Sequence, residues 1–70
     1  MAESAFAAIQ RNQIEIAVGE LLLTSDHYMR QITIEHIRHL IAHADRTLDI
    51  TLFSEMAIEE LQDLNLIPAQ

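Results

Sequence analysis

The sequence predicts a small all-α protein in which a helix–turn–helix hairpin is followed by a third helix, with two copies packed as a homodimer. Gly19 and Pro68 are the only residues of their types, so the chain has few of the turn formers that a strand-rich fold needs. Apolar residues make up 50% of the chain and aromatic residues 4%, which favours helices packed through Ile, Leu and Ala. These apolar residues recur with the period of a helix, and residues 1–70 are expected to form one domain.

The first helix is expected from about residue 4 to residue 23. Ser4 is a suitable N-cap, and Glu3 lies at the positive end of the helix dipole. Gly19 falls inside this helix, where glycine costs about 1 kcal/mol relative to alanine. It either allows another helix to approach closely or is a tolerated defect, and we favour the defect.

The second helix is expected over about residues 26–46. Asp26 can cap it, although the β-branched run Ile32–Ile34 also allows a later start with Thr33 as the cap. We favour a continuous helix from Asp26.

The third helix is expected over about residues 51–64, with Asp49 or Thr51 as its N-cap. It should end where Asn65 can adopt the left-handed conformation, and Pro68 prevents the helix from continuing.

A helical wheel gives the second and third helices one apolar face each. The face of the second helix consists of Ile34, Ile37, Leu40, Ile41 and Ala44. The face of the third consists of Phe53, Met56, Ala57, Leu61 and Leu64, with Ile58 at its edge. Glu60 falls inside the face of the third helix, so its carboxylate is expected at the rim of the core.

The first helix is apolar on two sides, and a helix of this kind is usually buried on both. One side consists of Ala7, Ile14, Ala17, Val18 and Leu21, and the nearly opposite side consists of Ile9, Ile16 and Leu23. A three-helix monomer covers only one side well, so the second side predicts a symmetric dimer. The alternative is that the second side holds a few scattered exposed apolar residues, which are common. The predicted dimer interface consists of Ile9, Ile14, Ile16, Val18, Leu21 and Leu23.

The charge of the chain is strongly acidic, with a formal net charge of −7. The only cations are four arginines, and none of them follows Asp49. Direct binding to nucleic acid is therefore disfavoured, including by a helix-turn-helix, whose candidate recognition helix would carry four acids and no cation. We expect instead a non-enzymatic regulator, adaptor or inhibitor whose acidic third helix binds a basic protein surface, which includes the surface of a nucleic-acid-binding protein. The predicted partner-binding residues are Glu55, Glu59, Glu60 and Asp63.

Three of the four histidines, His36, His39 and His43, fall on one side of the second helix. The spacing of four between His39 and His43 allows two imidazoles to contact one metal ion, with His27 or a carboxylate as a further ligand. The alternatives are a pH response through protonation of the three side chains and a solvated helix flank without function. We favour the solvated flank, and keep metal or proton sensing as the competing function.

No pattern in the chain indicates an enzyme or a cofactor site. The serines lie in no nucleophile motif, and a single glycine cannot form a phosphate-binding loop. The most apolar stretch, Ile14–Leu23, contains Glu15 and Glu20 and is shorter than the roughly 20 residues of a membrane span. The absence of cysteine is compatible with a cytoplasmic protein, and a role as a structural subunit of a larger assembly stays open.

Overall fold

A computed structural model describes residues 2–68, and this part of the chain contains three α-helices, one 3₁₀ turn and no strand. Helix α1 spans Ala5–Leu23, α2 spans His27–Ala42, the 3₁₀ turn spans Ile50–Leu52 and α3 spans Glu55–Asp63. Helices α1 and α2 form a hairpin, and α3 packs against α1. The predicted all-α architecture with three helices is confirmed.

Side-chain caps fix where each α-helix begins. The Ser4 hydroxyl accepts a hydrogen bond from the backbone N–H of Ala7 at 3.0 Å, and the Asp26 carboxylate accepts one from Met29 at 2.8 Å. These bonds satisfy N–H groups that have no partner within the first turn of a helix. Ser4 and Asp26 therefore occupy the N-cap positions expected of them.

The start of α3 differs from the prediction, because Ser54 is its N-cap. The Ser54 hydroxyl accepts a hydrogen bond from the N–H of Ala57 at 3.2 Å. Asp49 and Thr51 were the two predicted caps, but Asp49 accepts a hydrogen bond from the N–H of Thr51 at 3.0 Å and so caps the 3₁₀ turn, which contains Thr51. The helix therefore begins at Glu55 and not at about residue 51.

Helix α2 ends at Ala42, earlier than the predicted end near residue 46. The side chain of Gln10 on α1 accepts a hydrogen bond from the N–H of Asp45 at 2.8 Å and donates one to the carbonyl of His43 at 3.3 Å. These bonds engage backbone groups that a longer helix would have used internally.

A left-handed turn at Asn65 ends α3, as predicted. Asn65 has φ 59°. The N–H of Leu66 donates to the carbonyl of Leu61 at 2.9 Å, and the N–H of Asn65 donates to the carbonyl of Gln62 at 3.0 Å. This pair of bonds is a Schellman motif, and it turns the chain so that Leu66 and Ile67 pack back against the core.

One hydrophobic core lies between the three helices. Its buried residues are Ile14, Ala17, Val18, Leu21, Ile37, Phe53, Ala57 and Leu61. The predicted faces of α2 and α3 supply much of it, but Met56 is 65% exposed, because the later start of α3 leaves Phe53 to fill the core ahead of the helix. Glu60 is half-buried, in keeping with a position at the rim.

The N-terminal residues are fastened to the connection between α2 and α3. The Glu3 carboxylate pairs with the Arg11 guanidinium at 3.0 Å and accepts a hydrogen bond from the N–H of Asp49 at 3.0 Å. The N–H of Ser4 donates to the Thr47 hydroxyl, also at 3.0 Å. We call these contacts the N-terminal clasp.

Candidate functional site

Helix α3 presents an acidic face formed by Glu55, Glu59, Glu60 and Asp63. Glu55, Glu59 and Asp63 are exposed, and Glu60 is half-buried. Glu55, Glu59 and Asp63 are four residues apart, a spacing that places them above one another on the surface of a helix. The predicted partner-binding residues therefore lie together on one short helix.

The carboxylates of the acidic face have no hydrogen bond or ion pair with any residue in the described range 2–68. Most other acids of the chain have partners within the fold, as caps, turn residues or members of ion pairs, of which the pair between Glu35 and Arg38 is solvent-exposed. These structural acids are Glu3, Glu15, Asp26, Glu35, Asp45 and Asp49. The acidic face is thus set apart by its lack of internal partners as well as by its charge.

Within residues 2–68, no arginine neutralises the charge of the acidic face through an ion pair. Arg11 pairs with Glu3, and Arg38 pairs with Glu35 at 2.8 Å. Arg30 donates to backbone carbonyls of Leu21 and Thr24, at 2.9 and 3.2 Å. Throughout residues 2–68, no arginine forms an ion pair with α3, so its negative potential is directed to the solvent.

The predicted dimer interface separates into two groups. Ile14, Val18 and Leu21 are buried in the core of the protomer, so they do not lie on a surface that a second copy contacts, and the prediction for these three is corrected. Ile9, Ile16 and Leu23 are 58%, 57% and 88% exposed. They remain the candidates for a contact between chains.

Phe6 belongs to the same exposed side of α1 and was missed by the sequence analysis; it is 61% exposed. Positions 6, 9, 13, 16, 20 and 23 alternate in spacings of three and four, as in the seam of a coiled coil. Gln13 and Glu20 occupy two of these positions, and they conceal the pattern from a search for apolar residues alone. We call this side of the helix the outer stripe of α1.

The histidines of α2 form an exposed flank. His36, His39 and His43 are all exposed, and the ring centroids of His39 and His43 are 4.3 Å apart. His43 lies past the last helical residue as the C-cap. His27 lies at the other end of α2, about 18 Å from His39 at the rise of an α-helix, so it is not a further ligand.

Two imidazoles supply fewer donors than the four ligands of a tetrahedral zinc site. Among residues 2–68, no group of three or more His, Cys, Asp or Glu side chains is arranged to hold a metal ion. The arrangement of the histidines therefore gives no support to a metal centre in a single copy of the chain.

Polar contacts shift the pKa of two structural acids. Hydrogen bonds from the Thr47 hydroxyl and from its backbone N–H lower the pKa of Asp45. The Thr51 hydroxyl and backbone N–H lower the pKa of Asp49 in the same way. Both acids lie in the connection between α2 and α3, so their ionised form supports the fold and not the acidic face.

Comparisons with protein-family models, with curated proteins and with solved structures find no match to this chain. Within the described residues, no helix combines the length and the apolar character that crossing a bilayer requires.

Proposed function

We propose that this chain is a non-enzymatic, cytoplasmic interaction module, a small acidic regulator, adaptor or inhibitor that binds a basic surface of another protein through the acidic face of α3. The observation that carries the proposal is that four neighbouring carboxylates have no partner among residues 2–68, in a fold that engages most of its other acids. A partner with Lys and Arg side chains provides the opposite charge.

The cost of this arrangement to the free protein supports the same proposal. Like charges four residues apart on a helix destabilise it by roughly 0.2–0.5 kcal/mol per pair. Glu55 with Glu59, and Glu59 with Asp63, form two such pairs on a helix of only nine residues. Binding to a basic surface offsets this repulsion, which makes the free energy of binding more favourable.

Nucleic-acid-binding proteins are one class of partner that fits this chemistry. Arginine side chains that bind phosphate also form charge-assisted, often bidentate, hydrogen bonds with carboxylates. The acidic face then occupies the position of a phosphate backbone, and the chain acts as an inhibitor of nucleic-acid binding.

The test is partner capture by the tagged full chain, followed by identification of the retained protein and measurement of its affinity. The variant Glu55→Lys, Glu59→Lys, Glu60→Lys, Asp63→Lys is expected to lose the partner, and the affinity of the native chain is expected to fall with rising salt. A control with Ser25→Lys and Gln31→Lys adds positive charge at two exposed sites away from α3 and should retain the partner. Retention of the partner by the four-residue variant would show that the acidic face is not the contact.

We also propose that two copies of the chain associate through the outer stripe of α1. The support comes from four large apolar side chains in coiled-coil spacing, Phe6, Ile9, Ile16 and Leu23, all of them more than half exposed. Light scattering behind a sizing column, over a wide concentration range, should give a dimer that becomes a monomer in the variant Ile16→Glu.

Met56→Glu is the matched control for this test, because Met56 is similarly exposed but lies on α3. It should leave the dimer intact, and added zinc should leave the native association unchanged. A native chain that is monomeric at every concentration would exclude the dimer. A monomer that associates only with zinc would instead favour the histidines as metal ligands.

A further inference from the structure

An apolar groove of about 320 Å³ lies along α3, the helix that carries the acidic face. Its walls come from the 3₁₀ turn, from α3 and from the chain that follows α3. The lining residues are Ile50, Thr51, Ile58, Gln62, Ile67 and Pro68.

The turn at Asn65 creates this groove. The Schellman motif directs Ile67 and Pro68 back along α3, and the Gln62 side-chain amide donates a hydrogen bond to the Pro68 carbonyl at 3.4 Å. Ile58 and Ile67 each pack partly against the core. Their other sides line the groove together with Ile50, which is 37% exposed.

Two acidic residues of α3 are close in sequence to the residues that line the groove. Glu55 precedes Ile58 by three residues, and Glu59 precedes Gln62 by three residues. Residues three apart are neighbours on a helix surface, so this spacing places Glu55 and Glu59 next to groove-lining residues, although neither lines the groove itself. Neither has an internal partner among residues 2–68, and no cation lines the groove.

We propose that this groove receives an aliphatic side chain from a basic amphipathic segment of a partner protein, whose Lys or Arg side chains pair with Glu55 and Glu59. This inference rests on the proposed function, and it adds an apolar contact that fixes where the basic partner binds. The volume is at the lower end of the roughly 300–1,000 Å³ typical of ligand pockets. It therefore suits one or two side chains of an extended or helical segment.

Charge complementarity selects this occupant over a second copy of the chain. The chain has only four cations, and three of its arginines are already engaged within the protomer. A nucleic acid would bring its phosphates against the carboxylates of Glu55 and Glu59. A basic protein segment supplies both the apolar side chain and the positive charge that the groove and its edge require.

The first experiment uses three fluorescein-labelled synthetic peptides of equal length and the isotope-labelled full chain. One peptide is an amphipathic helix of Leu and Lys, the second has Ser in place of Leu, and the third has Glu in place of Lys. The Leu/Lys peptide is expected to shift the amide resonances of residues 50–51, 58–62 and 66–67. The Leu-to-Ser peptide should bind at least about tenfold more weakly, because an aliphatic side chain no longer enters the groove, and the Lys-to-Glu peptide should not bind measurably.

Variants of the chain locate the two parts of the contact. Ile50→Gln should weaken binding of the Leu/Lys peptide about fivefold to tenfold, since it makes one wall polar. Met56→Gln is the matched control, because Met56 is exposed on α3 but does not line the groove. The double variant Glu55→Gln, Glu59→Gln should weaken binding and reduce its salt dependence, whereas Glu35→Gln, at an exposed site on α2, should do neither.

The outcomes separate the groove from the acidic face. Equal affinities of the Leu/Lys peptide and the Leu-to-Ser peptide, with no effect of Ile50→Gln, would overturn the groove proposal. The proposal that the acidic face binds a basic partner would be unaffected. No effect of the Glu55→Gln, Glu59→Gln variant would overturn both. Loss of self-association in Ile50→Gln, measured by light scattering, would assign the groove to a second copy and also overturn the proposal.

Discussion

The carboxylate of Glu15 on α1 accepts two hydrogen bonds from Ser54, the N-cap of α3. The backbone N–H of Ser54 donates at 2.9 Å and its hydroxyl at 3.2 Å. A carboxylate at a helix N-terminus also interacts favourably with the helix dipole. This contact joins positions 39 residues apart in sequence. It fixes the first residue of α3 against the middle of α1 and so positions the acidic face that α3 carries.

Glu15→Gln should lower the free energy of unfolding by about 0.5–1 kcal/mol, because an uncharged amide is a weaker acceptor and a weaker partner of the helix dipole. Urea denaturation followed by circular dichroism measures the change. Glu35→Gln, at an exposed site on α2 whose ion pair with Arg38 is open to solvent, should change stability by less than about 0.5 kcal/mol. Equal losses in the two variants would contradict the role of the contact with Ser54.

The low pKa values of Asp45 and Asp49 predict a loss of stability in acid. A carboxyl group whose pKa is lower in the folded chain than in the unfolded chain stabilises the fold when it is ionised. This contribution is complete above the usual aspartate pKa of about 3.9, and it is lost as the pH falls below that value and through the lowered folded pKa.

The variant Asp45→Asn, Asp49→Asn should therefore show a shallower fall of the urea midpoint below about pH 4 than the native chain. Asp63→Asn is the control, since Asp63 is exposed and forms no hydrogen bond with residues 2–68. The prediction fails if Asp63→Asn flattens the acid dependence as much as the double variant does.

Gly19→Ala should raise the free energy of unfolding by about 0.5–1 kcal/mol, because alanine has the higher helix propensity. Gly19 is exposed on α1, and an added Cβ atom would have nothing within 4 Å to collide with. This gain in stability is expected if Gly19 is a tolerated defect in the helix. A gain in the stability of the monomer together with weaker self-association would show that a second copy approaches α1 at this position.

Substitutions at Asn65 test the turn that forms the apolar groove. Asn65→Gly should be tolerated, whereas Asn65→Val should cost about 1–2 kcal/mol, because a β-branched residue is strained at φ 59°. Chemical denaturation measures the cost for both variants. Nuclear magnetic resonance of the valine variant should show altered amide signals for Ile67, and equal stability of the two variants would argue against the left-handed turn.

Local signals in the sequence were sufficient for some parts of the fold. Ser4 and Asp26 accept hydrogen bonds from residues three positions ahead, and Asn65 bonds within its own turn. Each of these contacts needs only the neighbouring residues to form. The corresponding ends of the helices could therefore be predicted from short stretches of sequence.

The end of α2 and the start of α3 depend on distant partners and were predicted incorrectly. Gln10 bonds to Asp45 across 35 residues, and Glu15 bonds to Ser54 across 39. No property of either segment alone indicates these pairs. Ser54 followed by Glu55 was the one local signal for the later start of α3, because Ser is a good N-cap and an acid is favourable in the first turn.

The same distinction applies to the candidate site. The sequence places four acidic residues, Glu55, Glu59, Glu60 and Asp63, on one segment. It does not indicate that their carboxylates have no partner among residues 2–68. That property depends on which acids pair with residues far away in the chain. The groove was not predictable either, because Ile50, Ile58 and Ile67 come from three segments that meet only after the turn at Asn65 has formed.

The N-terminal clasp has a consequence for the kinetics of folding. Helices α1 and α2 meet across a connection of three residues, whereas the bonds of Ser4 to Thr47 and of Glu3 to Asp49 close loops of 43 and 46 residues. Long loops are entropically costly to close, so we expect the clasp to form late, after the folding transition state. Weakening it should accelerate unfolding and leave the refolding rate nearly unchanged. The first few residues of the chain are then expected to set the lifetime of the native state and not the speed at which it forms, which stopped-flow unfolding and refolding of Glu3→Gln would measure.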